Sequence, residues 1–339
     1  MKYNINKLSQ KQAFWPAVIF LAILLFNLIV TQGVFFRLSI VDGHLYGSLI
    51  DIFRNGSKLM LLAAGMTMVL ATGGTDISVG SVMAISGAIA CSIVKAVDNV
   101  ALAIVSAILA GLICGFWNGF LVAKIKIQPI VATMILLVAG RGIAQLITSG
   151  KIVTVTSDAY YFINGGYILG LPFPLFIVIF LVGLLVLFVG QTAFGLFLEA
   201  VGINPRASKF AGIKVDHMLL VIYTISGTFA AVAGLIESSG IKGADCNNAG
   251  LNIEMDAILA VAIGGTNLMG GRFSIPASVA GALIVQSITT TVLTQGVPAA
   301  YIRVLKAILI VVICLSQAPA FKEKLAAKRA AKSRKAVNG

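Results

Sequence analysis

The residues able to do chemistry are few, and they gather at two glycine-rich breaks. The stretch ATGGTDISVGS, residues 71–81, sets Asp76, Ser78 and Ser81 just behind Gly73 and Gly74. GGTNLMGG, residues 264–271, sets Asn267 behind Gly264 and Gly265. Elsewhere the polar candidates are isolated: Asn118 in GFWNGF, Arg141 in VAGRGIAQLIT, and Gln286 with Thr289, Thr290 and Thr291. Hydroxyls, amides and freed backbone groups recognise a solute by hydrogen bonding. Without a nucleophile beside a base, or an acid/base pair, they do not break covalent bonds. The two histidines, His44 and His217, are far from any CxxC or HxxxH spacing, so neither metal nor cofactor is expected. Cys91, Cys114 and Cys314 fall in apolar runs, where cysteine acts as a small hydrophobe, and Cys246 stands in a loop with no obvious partner. The phosphate-cradling GxxxxGK[ST] pattern is missing, so this chain does not itself hydrolyse ATP.

The elements that must carry these residues are set by composition. The chain is 59% hydrophobic and 11% charged, with a mean hydropathy of +1.01, whereas a soluble domain carries about 25% charged residues. A transmembrane helix needs roughly 20 mostly apolar residues. The runs that qualify are 14–31, 57–72, 78–97, 100–122, 129–148, 173–191, 217–238, 255–270, 275–295 and 301–317. The expected fold is all-α, a polytopic transmembrane bundle of about ten helices. Residues 1–317 form one membrane domain and 318–339 a basic cytoplasmic tail. The first run follows Lys2, Lys7 and Lys11 but precedes no A-x-A cleavage site, so it is expected to be a retained helix.

The net charge of +13 is explained by where the charges fall rather than by a nucleic-acid partner. Ten spans with a cytoplasmic N-terminus put sixteen of the 25 Lys and Arg residues on the cytoplasmic side, seven of them in the tail. That asymmetry follows the positive-inside rule and places both termini in the cytoplasm. The Lys/Arg/Ala tail suits a flank against anionic lipid.

In this topology the longest internal cytoplasmic connection covers about 192–216, TAFGLFLEAVGINPRASKFAGIKVD. Asn204-Pro205 reads as a helix start, with Asn as N-cap and Pro at the first helical position. Gly212 reads as a left-handed stop. The helix between them has about two turns, with Ala207, Phe210 and Ala211 on one face and Arg206 and Lys209 elsewhere. Such a helix either docks into a groove of a partner or simply covers the loop. The apolar stretches before the two breaks, Leu59–Thr72 and Asp256–Gly264, are short for full spans. Short, glycine-interrupted segments in corresponding positions of two halves point to a substrate path. Asp76 is then either a cap joining two helices or a group on that path, and Arg141 either snorkels or pairs for structure or takes part in passage.

Four motifs in order, GGTDISVGSVMAISG, WNGFLVAKIKIQPIVAT, EAVGINPRASKFAGI and DAILAVAIGGTNLMGGR, resemble the membrane-spanning permeases of bacterial ABC sugar importers of the ribose/galactose/xylose class. The resemblance runs from about residue 45 to 316. GRGIAQLIT and IKGADCNNAGLNIEMDAILAV are most similar to its galactofuranose permease branch. It implies a multi-pass subunit of the bacterial inner membrane that moves a monosaccharide by alternating access. The implied partners are a cytoplasmic ABC ATPase subunit, an extracytoplasmic sugar-binding protein and a second permease copy or relative. The family's ATPase-coupling pattern falls on Glu199, Ala200, Gly202 and Asn204, and continues at Ala207, Gly212 and Ile213. Gly73, Gly74, Asp76, Ser78, Asn118, Arg141, Gly264, Gly265 and Asn267 become candidates for the translocation path. Pro205 is a departure that fits the first helical position. An ion-coupled secondary transporter is the competing reading. It needs a carboxylate or histidine relay inside the membrane, whereas the acidic residues here cluster at expected helix ends.

Overall fold

Helices follow the apolar runs closely, with breaks where Gly, Pro and Asn interrupt them. The computed structural model describes residues 14–30, 34–37, 39–41, 44–298, 301–308 and 311 of the chain. The N-terminal segment before Phe14, Cys314 and the basic tail lie outside the described residues. Helix α1 covers Phe14–Val30, α2 Ser48–Ala71, α3 Val79–Val97 and α4 Val100–Phe120, which runs on into a π-helical turn, Leu121–Ile125. Then come α5 Pro129–Ile147, the short α6 Asp158–Gly165, α7 Phe173–Gln191, α8 Ala193–Ile203 and α9 Pro205–Phe210. Helices α10 Val215–Gly240, α11 Ile253–Ile263 and α12 Ile275–Thr294 follow, and residues 301–308 are helical. Among the described residues the strands are two or three residues long; β1 (Val153–Thr154) pairs antiparallel with β2 (Gly243–Ala244), tying two connections at one end of the bundle.

Burial sorts the helices into layers. Every residue of α2 from Leu59 to Ala71 is buried, which makes this stretch the axis of the bundle. A helix that is apolar all round must be buried on all sides or face lipid. The spans of α3 and α10 are 72% and 67% buried, α10 packing against α2, α3 and α4, whereas those of α4, α5 and α7 are 22%, 28% and 17% buried and turn Leu, Ile, Val and Phe outward. Close approach of α4 and α10 depends on a stripe of small residues. A Cβ added to Gly115 would lie 2.4 Å from the Tyr223 carbonyl oxygen, and one on Gly119 would lie 2.9 Å from the Leu220 Cα. Small residues at a four-residue interval let helix backbones meet where lipid offers no hydrophobic drive. Asn27 of α1 donates to the Thr291 hydroxyl of α12 at 2.8 Å, so one hydroxyl of the threonine run does bond a neighbouring helix.

Among the described residues six helices are long and apolar enough to cross a membrane: α3, α4 with its π-helical turn, α5, α7, α10 and α12. The structure differs from the sequence expectation at two places. Residues 48–56 are not part of a connection, because α2 begins at Ser48 and has 24 residues. Asp51, Arg54 and Lys58 lower its hydropathy without breaking it. Arg54 donates to the Tyr167 hydroxyl and lies over its ring at 5.1 Å, and Lys58 faces Glu237 at 3.4 Å. The helix before the first break is therefore not short. The segment before the second break is: α11 has 11 residues, about 16 Å of helix against a hydrocarbon core of about 30 Å.

Candidate functional site

The first break is built around a buried carboxylate. After Ala71 the chain leaves the helix and runs through Gly73, at φ +75°, to Ser78, where α3 begins. Asp76 Oδ1 accepts from the Ser78 backbone N–H at 3.0 Å and from the Ser78 hydroxyl at 2.6 Å; Oδ2 accepts from the Ser226 hydroxyl of α10 at 2.9 Å. Asn118 of α4 donates to the Ser78 hydroxyl at 2.8 Å, and Thr133 of α5 accepts from the Ile77 N–H at 3.3 Å. Asp76 and Ser78 are each 1% exposed, as is Asn118, so this cluster is closed to solvent. It joins the start of α3 to α4, α5 and α10. Asp76 itself bonds Ser78 and Ser226 of α10, while Ser78 and Ile77 beside it carry the ties to α4 and α5. Among the described residues no cluster of His, Cys, Asp or Glu converges to hold a metal ion.

The two breaks touch each other. The Gly271 N–H donates to the Ala71 carbonyl at 2.9 Å. Gly270 and Gly271 have φ of +94° and +96°, a region open to glycine, which is why this turn carries a pair of them. Asn267 Oδ1 accepts from the Met269 N–H at 3.1 Å and shapes the turn. Gly264 is buried where a Cβ would lie 2.6 Å from the Ser278 nitrogen, whereas Gly265 stands in open space. Gly74 sits beneath Tyr223, whose hydroxyl oxygen would be 2.7 Å from an added Cβ.

A third element closes this junction. Helix α8 lays Gly202 on both breaks: a Cβ there would be 1.9 Å from the Ala71 carbonyl oxygen and 2.4 Å from the Gly271 nitrogen. Past Ile203 the chain turns into α9, where Asn204 Oδ1 accepts from the Ala207 N–H at 3.0 Å and Pro205 takes the first helical position. Gly212, at φ +86°, ends the turn that follows. Cap, proline and stop stand where the sequence places them. Phe210 is 93% exposed at the tip, flanked by Arg206 and Lys209. Glu199 lines an open cleft of about 400 Å³ with Phe273 and Pro276, and Gly212 and Ile213 line another of about 500 Å³ with Phe197 and His217. Of the seven expected coupling residues, then, Asn204, Ala207 and Gly212 are at the surface and Gly202 faces inward.

Arg141 lies at the opposite end. Its guanidinium donates to the carbonyls of Cys246 and Ala249 at 2.9 and 2.6 Å, and Gln145 one turn on donates to Asn247 at 2.7 Å. Together they fasten the 241–252 connection to α5. Within that connection the Asn248 side-chain amide holds the Asp245 carboxyl below its usual range, with the Asn248 and Asn247 N–H groups and Arg141 adding to it. Cys246 finds a partner after all, donating to the Ala144 carbonyl at 3.2 Å. Arg141→Met should lose two hydrogen bonds from a charged donor and lower stability by about 2–3 kcal/mol. A lower thermal midpoint of the detergent-solubilised chain is the check.

Sequence reading did not find Ser226 or Tyr223, the α10 partners of the first break, which lie with Thr224 and Thr228 inside one apolar run. It also did not find the α4 glycine stripe, although Gly111, Gly115 and Gly119 keep a four-residue interval.

Apolar spans around a closed polar cluster, with a capped surface helix seated on the junction of two breaks, define a subunit of a membrane transport system. The chain belongs to the family described as the permease component of the branched-chain amino acid transport system, whose model matches residues 48–314. It is accordingly a multi-pass transport subunit of the inner membrane rather than an enzyme. It is 46% identical over 312 residues to the galactofuranose transporter permease protein YtfT of Escherichia coli K12, covering 91% of each chain. It is 40% identical over 322 residues to the fructose import permease protein FruF of Bifidobacterium longum, covering 93% of this chain and 90% of that one. The ribose import permease protein RbsC of Escherichia coli K12 is 34% identical over 274 residues, 79% of this chain and 84% of the relative. No solved structure matches the chain.

Proposed function

We propose that this chain is the membrane-spanning permease of an ATP-driven importer that carries a monosaccharide, galactofuranose or galactose or a pentose, into the cytoplasm by alternating access. The relatives are named for galactofuranose, fructose and ribose, all neutral sugars, and a neutral polyol is matched by hydroxyls and amides rather than by fixed charge. The chain spans the membrane about ten times with both termini cytoplasmic, which puts α8, α9 and both breaks on the cytoplasmic side. Residues 1–317 act as one permease domain ahead of a basic tail. It works with an ATPase subunit, an extracytoplasmic sugar-binding protein and a second permease, identical or related.

The observation that carries this reading is the seating of α8. A helix whose exposed continuation is shaped for docking is fastened at Gly202 to the backbone of both breaks. ATP-driven closure pressing on α9 would therefore move the ends of α2 and the loop before α12 together. In this scheme Glu199, Ala200, Gly202, Asn204, Ala207, Gly212 and Ile213 form the coupling segment. Gly73, Gly74, Gly264, Gly265 and Asn267 form the cytoplasmic joint of the path. Asp76, Ser78 and Asn118 form its closed inner gate, and Arg141 positions its outer loop.

Pull-down of the tagged chain from mild-detergent membranes tests the assignment. An ATPase subunit should co-purify at a ratio to the permease near one. Phe210→Ala removes an exposed apolar anchor without touching the bundle, and should lower that ratio several-fold while the permease still purifies intact. A single species without any ATPase would overturn the importer reading and turn attention to ion-gradient-driven uptake.

A further inference from the structure

In the half of the bundle opposite the two breaks, a pocket of about 200 Å³ opens between α2, α10, α11, α12 and the 241–252 connection. Its polar lining is Asn55, Lys58, Glu237, Asn248, Asp256 and Gln286. Lys58 lies about 15 Å along α2 from Ser48, inside the bundle rather than at its rim. Ionisable side chains at such depth are costly and mark function by default.

The charges here cancel locally. Lys58 Nζ is 3.4 Å from Glu237 Oε2, and Asp256 Oδ2 accepts from Lys306 Nζ at 2.6 Å. Hydrogen-bonding capacity nevertheless remains. Glu237 Oε1 accepts from the Gly250 N–H at 3.3 Å, while Oε2 is buried with no hydrogen bond. Gln286 makes one long contact, 3.4 Å to Thr290, and Asn55 is exposed with no side-chain hydrogen bond among the described residues. Paired charges give no net attraction to an ion. Amides and carboxylates with spare sites, spaced around a small volume, suit a neutral molecule with several hydroxyls.

One wall of the pocket also reaches the start of α3, just beyond Ser78. Gly250 in its wall packs against Gly80 at the start of α3, where a Cβ on Gly80 would lie 2.3 Å from the Gly250 carbonyl oxygen. Arg141 holds the same wall through the Ala249 carbonyl.

We infer that this pocket is a waypoint for one monosaccharide on the translocation path, with Asn55 and Gln286 as specificity-determining contacts and the Lys58–Glu237 pair as a hydroxyl-binding wall. The inference rests on the reading of the chain as a monosaccharide permease. The test uses the whole importer, permease with ATPase and binding protein, in proteoliposomes, with ATP-driven uptake of labelled galactose and ribose at saturating binding protein. Asn55→Leu and Gln286→Leu should each cut the maximal rate about fivefold, the worth of roughly one hydrogen bond. They should also change the galactose-to-ribose ratio, with complex assembly unaltered. A structural role would lower both sugars alike. Wild-type rates and ratio in both variants would overturn the pocket assignment while leaving the permease reading intact. Uptake of neither sugar by the wild type would overturn that reading, and the waypoint with it. Should Gln286→Leu reduce the yield of complex, Asn55→Leu decides, because its exposed side chain bears on no packing.

Discussion

Gly202→Ala will reduce sugar uptake about tenfold or more, although it adds a single methyl group. That methyl would lie 1.9 Å from the Ala71 carbonyl oxygen and 2.4 Å from the Gly271 nitrogen. Both are backbone atoms that cannot rotate away, and the Gly271 N–H is itself bonded to Ala71. Helix α8 must then lift off both breaks, at a strain of roughly 1–3 kcal/mol. The protein escapes by separating α8 from the junction, and coupling fails while the spans stay inserted. Uptake and ATP hydrolysis should be measured together in the reconstituted importer. Hydrolysis that continues as uptake falls is the expected signature. Gly212→Ala provides the comparison, since its φ of +86° makes alanine strained but nothing lies within reach of the new methyl. Equal losses of uptake in the two variants would show that the joint at Gly202 has no special part in coupling.

This expectation changes which residue tests docking. From sequence, Gly202 looks like one more small residue on a docking surface, and Gly202→Asp the natural disruptive change. In the fold, Gly202 faces inward and its substitution reports on the joint. Phe210, exposed at the tip of α9, reports on the partner.

Much of the local design was legible in the residues. Asn204-Pro205 and Gly212 marked the ends of α9 because capping is a local matter, decided by one side chain and one backbone angle. Pro129, fixed in φ and needing no N–H partner at the first helical position, starts α5 in the same local way, although Gln128 makes no capping bond. The burial that separates α2, α3 and α10 from α4, α5 and α7 was not legible, since in a membrane both core and lipid faces are apolar and periodicity does not separate them. Nor did the start of α2 show. Asp51 and Arg54 read as loop, but Arg54 is matched by Tyr167, far away in sequence. The candidate site divided along the same line. Its glycines and Asp76 stood out from their apolar surroundings, whereas Ser226, Glu237 and Gln286 have meaning only through what they meet across the bundle.

Asp76→Ala is the second change of large effect, and its consequence is structural before it is functional. The substitution leaves the Ser78 N–H, the Ser78 hydroxyl and the Ser226 hydroxyl without their shared acceptor, inside a cluster closed to solvent at 1% exposure. A buried donor left unmade costs about 1–3 kcal/mol. With three such groups, two of them hydroxyls free to rotate, and a void, a loss of roughly 3–5 kcal/mol is expected, a large share of the stability of a typical domain. Less folded protein should be recovered from membranes, with a lower thermal midpoint and an uptake loss that follows the loss of protein. Ser226→Ala removes one donor and leaves Ser78 bonded, so it should cost about 1 kcal/mol. The double variant should then lose less than the sum of the singles, because the pair shares one interaction. The inner-gate role adds a separate requirement: per molecule of folded complex, Ser226→Ala must change the uptake rate, since opening the gate breaks that bond. An unchanged rate per folded molecule would leave Asp76 as a structural tie alone, and would move the gate away from the first break.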